Sequence, residues 1–443
     1  MALFTTVISK DKLFKIPWLF IVSLFILVSL FDASLSCYIL LCGILTNIFI
    51  IWELRKVQPA LIMSIFFLSY LLYLLPYYFG GYLISGHFKY YNKSLYDKAL
   101  IIHVLFLSSL YFFISNKFNE SQIIIRDLIK TRNNTAIFVV LYVSMLGILL
   151  TVKGESVLNS ESYSTYVENL EKQGGSLEYF YILFICAFYF TKSKILRKSL
   201  LLLVIYYIYT TATKGYRIQL IQMAFLTFIL FADGTFKSRY VIIFSFLGFI
   251  ISEILGIMKN VGNVSYEEFM KLYDNSSGII ITNQTDVFYS SVVFLGIVRD
   301  GILSLPLRVW STIGFFWNCL VPSSFVWTEA RLPQFASKYT TLGGGGLISV
   351  YFFVWFGYLG PLAIAAVLAK FLNKIFKSEQ KNLYKISGII LLSTFPRWFA
   401  YDPANFFFRL PIYLILFYFI LISIHNFFKP ILKQEDNDEC LDY

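Results

Sequence analysis

The sequence predicts an all-α, polytopic membrane helix bundle of about twelve spans, with a long, partly helical outer loop between the ninth and tenth. Three observations carry that prediction. The 443 residues are 58% hydrophobic and only 14% charged, about half the charged share of a soluble domain, and the mean hydropathy is +0.69. Apolar stretches of membrane-crossing length recur along the chain. Lys and Arg are divided unevenly between alternate loops.

The first span runs from about Ile16 to Phe31, after a basic start (Lys10, Lys12, Lys15) with no cleavable signal pattern, and turns at Asp32 to Ser34. The second returns to about Trp52, ahead of Glu53, Arg55 and Lys56. The third covers about Ala60 to Phe79 and the fourth about Ala99 to Ser115. A loop with Lys117, Arg126, Lys130 and Arg132 leads to the fifth, about Thr135 to Val152, and Glu155 to Gly175 is polar. The sixth covers about Ser176 to Thr191, followed by Lys192, Lys194, Arg197 and Lys198. The seventh, eighth and ninth cover about Ser199 to Thr213, Ile218 to Ala232 and Tyr240 to Met258.

Lys259 to Gly345 is by far the longest interruption. Within it Glu267 to Asp274 suits a short polar helix. Val287 to Leu307 and Val309 to Trp327 are apolar but broken by Arg299, Asp300 and Arg308, as in interfacial or re-entrant segments. Such backbone is tolerated at membrane depth only when buried in protein or lining a wet cavity. The tenth span is about Gly346 to Ala369, the eleventh about Ile386 to Phe395, ending at Pro396, and the twelfth about Leu410 to Ser423. The expected organisation is a transmembrane domain over 1–434, with 259–345 as a long outer loop subdomain, and an acidic tail over 435–443.

With the N-terminus inside, the inner loops hold 22 of the 37 Lys and Arg in about 91 residues, and the outer loops 15 in about 150. That is the asymmetry the positive-inside rule requires, and it puts both termini in the cytoplasm. The net charge of +11 therefore reads as topology rather than as a nucleic-acid footprint. The five cysteines lack metal-ligand spacing, and Cys37 and Cys42 suit packing inside a span.

Several outer-side cations do not serve that rule. Lys214 and Arg217 lie in the string KGYR, Arg299, Arg308 and Arg331 lie in the long loop, and Arg397 and Arg409 flank the outer end of the last two spans. An ionisable group near the membrane costs a few kcal/mol unless it reaches water or a partner. The planar Arg fork matches phosphate, so a pocket of several suits a pyrophosphate. The competing reading is snorkelling, or pairing with Asp286, Asp300, Glu329 and Asp402. Glu329, two residues before Arg331, is the first candidate for a general base, and Asp402 is the reserve. His103 lies in a span, where an interhelical hydrogen bond is expected, and His87 is a weaker candidate. Gly343, Gly344, Gly345 and Gly346 let the backbone approach a ligand or another helix closely, or act as a hinge, and amides at a helix start favour anions. There is no phosphate-loop, Gly-x-Ser-x-Gly or His-Glu-x-x-His pattern, and no metal or cofactor is expected.

Taken together, the span number, the long outer loop in the second half and the outer arginines resemble the O-antigen or oligosaccharide repeat-unit polymerases (Wzy type). KGYR at 214–217 resembles that family's Gly-x-Arg string. Gly343 to Gly346, followed by Phe356-Gly357-Tyr358-Leu359-Gly360, resembles its Gly-rich entry and Asn-Phe-Gly-x-x-Gly pattern, with Trp355 where the family commonly has Asn. The resemblance implies a GT-C-like, metal-independent glycosyltransferase of the bacterial inner membrane. Its substrates would be undecaprenyl-pyrophosphate-linked oligosaccharides, its long loop periplasmic, and a chain-length regulator its protein partner. Membrane lipid is the expected surrounding; nucleic acid is not an expected partner. Two other readings stay open: an O-antigen ligase, with the same donor but a lipid A core acceptor, and a lipid-linked oligosaccharide flippase or other transporter.

Overall fold

The computed structural model describes residues 13–29, 32, 35–84, 89–115, 123–152, 176–213, 216–258, 279–322, 325–342, 345–376 and 382–438. Nearly all of these are helical. In chain order the helices are α1 (Ile16–Ser29), α2 (Ser36–Leu54), α3 (Gln58–Leu72) and α4 (Leu75–Gly80). A short strand β1 (Leu83–Ile84) precedes α5 (Lys93–Phe113). Then come α6 (Thr135–Thr151), α7 (Ser176–Tyr189), α8 (Lys194–Thr213), α9 (Arg217–Thr227) and α10 (Ser238–Met258). Strand β2 (Ile279–Ile280) pairs in parallel with β1 and leads to α11 (Asn283–Arg299), α12 (Leu305–Leu320) and α13 (Leu332–Ser337). The chain closes with α14 (Ile348–Phe356), α15 (Leu359–Ile375), α16 (Asn382–Ser393), α17 (Phe395–Ala400) and α18 (Leu410–Asp438).

Local chemistry sets several of these starts. Asn92 opens α5 by accepting the Ser94 amide at 2.9 Å, and Asn134 opens α6 by accepting that of Ile137 at 3.0 Å. Thr282 and Thr285 form a reciprocal capping box at α11. Pro59, Pro76, Pro306 and Pro333 fall in first turns, where the missing N–H costs nothing.

Among the described residues, five helical segments are long and apolar enough to cross a membrane: Ser36–Leu54, Gln58–Gly80, Lys93–Phe113, Lys194–Thr213 and Ala404–Phe427. Shorter apolar helices fall at the first, fifth, sixth, eighth and ninth expected spans. The chain is a helical membrane protein. The tenth expected span departs from a single helix. It is broken at Gly357, whose φ of +60° is open to glycine and costly for other residues, and α14 and α15 fold back on each other there. The turn is tight enough that a Cβ on Gly360 would sit 2.0 Å from the Phe352 carbonyl oxygen. The apolar part of the expected outer loop forms α11 and α12, separated by a turn at Gly301 (φ +72°); the expected helix at Glu267 to Asp274 lies outside the described residues.

The chain divides into two compact units: 1–124, 232–378 and 395–405 form the first, and 125–231, 379–394 and 406–443 the second. In the first, α3, α5 and α17 meet in an aromatic core. Phe67 stacks on Phe399 at 3.9 Å, with Phe66, Tyr70, Phe106 and His103 around the pair. In the second, a polar knot ties α7 to α8 and α9: the Tyr181 hydroxyl lies 2.9 Å from that of Tyr207 and donates to the Gln219 carbonyl at 3.0 Å.

Candidate functional site

The break between α14 and α15 creates a helix that starts inside the bundle. His103, at the middle of α5, lies 3.3 Å from the Ser349 hydroxyl in the first turn of α14. The last turn of α14 lies under Lys98, whose ammonium is 5.1 Å from the Phe353 ring. So α14 runs against α5 over its first half only. Nine residues rise about 13 Å, less than half a bilayer core. α15 then follows α5 to its end, where Asn373 donates to the Phe113 carbonyl at 2.8 Å. The start of α14 is thus a buried helix N-terminus, the arrangement by which broken membrane helices meet anionic ligands.

Arg331, Arg397, Asp402 and Tyr351 surround that terminus. Arg331 Nε donates to Asp402 Oδ2 at 2.6 Å, and Asp402 Oδ1 accepts the Ala404 amide at 2.9 Å. Arg397 is half-buried with its guanidinium 4.9 Å from the Tyr401 ring centre, and no carboxylate among the described residues pairs with it. Tyr351, one turn into α14, is fully buried and its hydroxyl has no side-chain partner among the described residues. That hydroxyl faces the Gly346 backbone, with Asp402, Arg331 and Arg397 in electrostatic reach. Two guanidiniums, one carboxylate and a helix N-terminus leave the locus net cationic, suited to a phosphate-type anion.

Arg331 is positioned by α12, which grips the segment before it from both edges. Asn318 donates to the Trp327 carbonyl at 3.0 Å and accepts the Trp327 amide at 2.7 Å. Ser311 donates to the Ala330 carbonyl at 2.9 Å and accepts from the Trp355 indole at 3.3 Å. Gly314 allows the approach, since a Cβ there would lie 2.1 Å from Ala330 Cβ.

The other expected residues divide. Arg308 donates to the Val354 carbonyl, so it caps the C-terminal end of α14, where a cation complements the dipole. Arg299 pairs with its neighbour Asp300 at 2.9 Å, both partly exposed. Arg409 is buried in the second unit, 3.7 Å from Glu178. Arg217 begins α9, also in the second unit, and Lys214 lies outside the described residues. Glu329 is exposed and makes no ion pair among the described residues. Gly343 and Gly344 lie outside the described residues. What Gly345 and Gly346 approach closely is protein. A Cβ on Gly345 would lie 2.5 Å from Tyr401 Cα, and one on Gly346 2.6 Å from the Phe294 ring. Leu347 then donates its amide to Ser291 at 2.8 Å. Only Tyr351 joins the cluster without having been singled out in the sequence; its one signal is a lone phenol in the string SVYFFVWF behind four glycines.

No protein-family model, curated protein or solved structure matches the chain.

Proposed function

We propose that the protein is a membrane glycosyltransferase that joins undecaprenyl-pyrophosphate-linked oligosaccharide units into a surface polysaccharide at the outer face of the bacterial inner membrane. The observation that supports this reading is the convergence of Arg331, Arg397 and Tyr351 on the buried start of α14. The growing chain leaves its lipid pyrophosphate and passes to a sugar hydroxyl of the next unit. The departing pyrophosphate carries the developing charge, so paired guanidiniums and helix amides supply the dominant stabilisation. The Tyr351 hydroxyl adds a neutral donor. The acceptor hydroxyl needs one carboxylate base. Asp402 takes that role ahead of Glu329, because it stands inside the cluster and Glu329 is exposed. The finer architecture belongs to the same reading: twelve spans, both termini cytoplasmic, a GT-C-like bundle and a chain-length regulator as partner.

A deletion strain tests the proposal against its rivals. Loss of a polymerase leaves single repeat units attached to the lipid core. Complete loss of attached units favours a ligase, and units trapped inside the cell favour a flippase; either result overturns the proposal.

A further inference from the structure

A second cluster in the first unit has no part in that chemistry. Where α4 ends and α5 begins, Tyr77 stacks on Tyr96 at 5.1 Å, and Tyr91 lies 5.1 Å from Tyr96 on a tilted plane. Tyr77 and Tyr91 are half-buried, while Tyr96, against which both rings pack, is fully buried. The first turns of α11 close the far side. Phe288 lies 6.0 Å from Tyr96, and Gln284, one turn earlier on the same helical row, is 5% exposed. The Tyr96 hydroxyl and Gln284 Oε1 are buried and have no hydrogen-bond partner among the described residues. Asp286 and Tyr289 are within electrostatic reach of the Tyr96 hydroxyl.

A buried polar atom without a partner is destabilising, so two close to one aromatic wall call for a ligand that satisfies both. The carboxylate of Asp286 disfavours an anion. A phenol hydroxyl must both donate and accept, and an ammonium ligand can only donate. A group that does both, carried on a ring with an apolar face for tyrosine, is a sugar hydroxyl.

We infer that this tyrosine cluster is a binding subsite for an uncharged saccharide, and, resting on the glycosyl-transfer reading, that it holds a sugar of the incoming acceptor unit. α11 links it to the anion locus, since the same helix carries Gln284 at one end and the Ser291 that accepts the Leu347 amide before α14.

The test uses the full-length protein in lipid nanodiscs. The probe is the neutral oligosaccharide released by mild acid from the host's lipid-linked repeat units, and binding is followed by saturation-transfer NMR. Saturation transfer to the sugar is expected for wild type. Tyr96→Phe and Gln284→Leu should each weaken binding roughly five- to tenfold. Tyr96→Phe should keep or raise the Tm, because it removes an unpaired buried hydroxyl; this separates lost binding from misfolding. No transfer to wild type overturns the inference, as does wild-type affinity in both variants, which would mean that the buried groups hold water only. Transfer to tetramethylammonium in place of the sugar overturns it too. The two readings fail separately. Sugar binding with this residue dependence in a protein that releases no undecaprenyl pyrophosphate refutes the catalytic reading alone. Normal turnover with an unchanged acceptor KM in Tyr96→Phe refutes the subsite alone.

Discussion

The pair Arg331–Asp402 joins positions 71 residues apart and holds the second carboxylate oxygen with a backbone amide. Arg331→Lys keeps the charge but loses the planar fork, so it should cost roughly tenfold or more in turnover, measured as undecaprenyl pyrophosphate release. Full activity in the lysine variant would remove Arg331 from phosphate recognition. The carboxylates separate by the same assay. Asp402→Asn keeps the size and accepting oxygen but cannot take a proton, and should lose about 100-fold or more. Glu329→Gln, at an exposed site, should stay near wild type. The reverse ordering would return the base to Glu329. Tyr351→Phe removes one buried hydroxyl and should slow turnover while leaving the Tm unchanged or higher; a drop in Tm with unaltered turnover would make it a packing residue. Part of this site was legible in the sequence. Arginines placed against the positive-inside trend flagged Arg331 and Arg397, because topology gives no reason for them. The same signal also flagged Arg299, Arg308 and Arg409, whose partners are an adjacent carboxylate, a helix carbonyl and Glu178. A charge count cannot tell these apart, since pairing over long sequence separations is set by packing. His103 did meet its expected interhelical neighbour, Ser349, 246 positions away.

The cluster depends on two elements, the half-length helix α14 and the brace α12. Gly357→Ala meets no atom within 4 Å, so its cost is purely conformational, about 1–3 kcal/mol for a non-glycine residue at that positive φ. Gly314→Ala is the opposite case. Its φ is unremarkable, but the new methyl would collide with Ala330 and must push the 327–331 segment away from α12. Overpacking of this kind costs about 1–3 kcal/mol, and here it also displaces Arg331. Both variants should lower the Tm, measured in detergent or nanodiscs. Gly314→Ala should lose more turnover than its Tm predicts, because the distortion is delivered to the site; proportionate losses in both would remove the brace from the account. Helix positions were largely readable from hydropathy. The second expected span ran from the turn at Asp32–Ser34 to about Trp52, and α2 covers Ser36–Leu54. The break at Gly357 was not readable. The residues around it are as apolar as the spans they divide, and a two-residue reversal leaves the hydropathy of a window nearly unchanged. The apolar stretches beyond Val287, expected as interfacial or re-entrant segments of a partly helical loop, form two helices of 17 and 16 residues, and the interrupting charges Arg299 and Asp300 fall at the turn between them.

For the whole molecule, the Lys and Arg asymmetry predicts an orientation, with both termini inside, that does not depend on any fold detail. Single cysteines at the positions of Ser160 and Ser276 should react with impermeant maleimide added from outside; labelling only from the cytoplasm would invert the topology. That orientation would put an anion locus at the start of α14 on the side where a lipid-linked pyrophosphate donor is presented. We propose that this locus transfers a glycan from such a donor. The most direct measurement reconstitutes purified protein in nanodiscs with the host's undecaprenyl-pyrophosphate-linked repeat units, and follows polymer length together with undecaprenyl pyrophosphate release. Wild type should give a polymer ladder and about one pyrophosphate-lipid released per linkage. The folded double variant Arg331→Ala, Arg397→Ala should give neither. A wild-type ladder from that double variant, or no ladder from wild-type protein that is folded and binds the donor, would contradict the account.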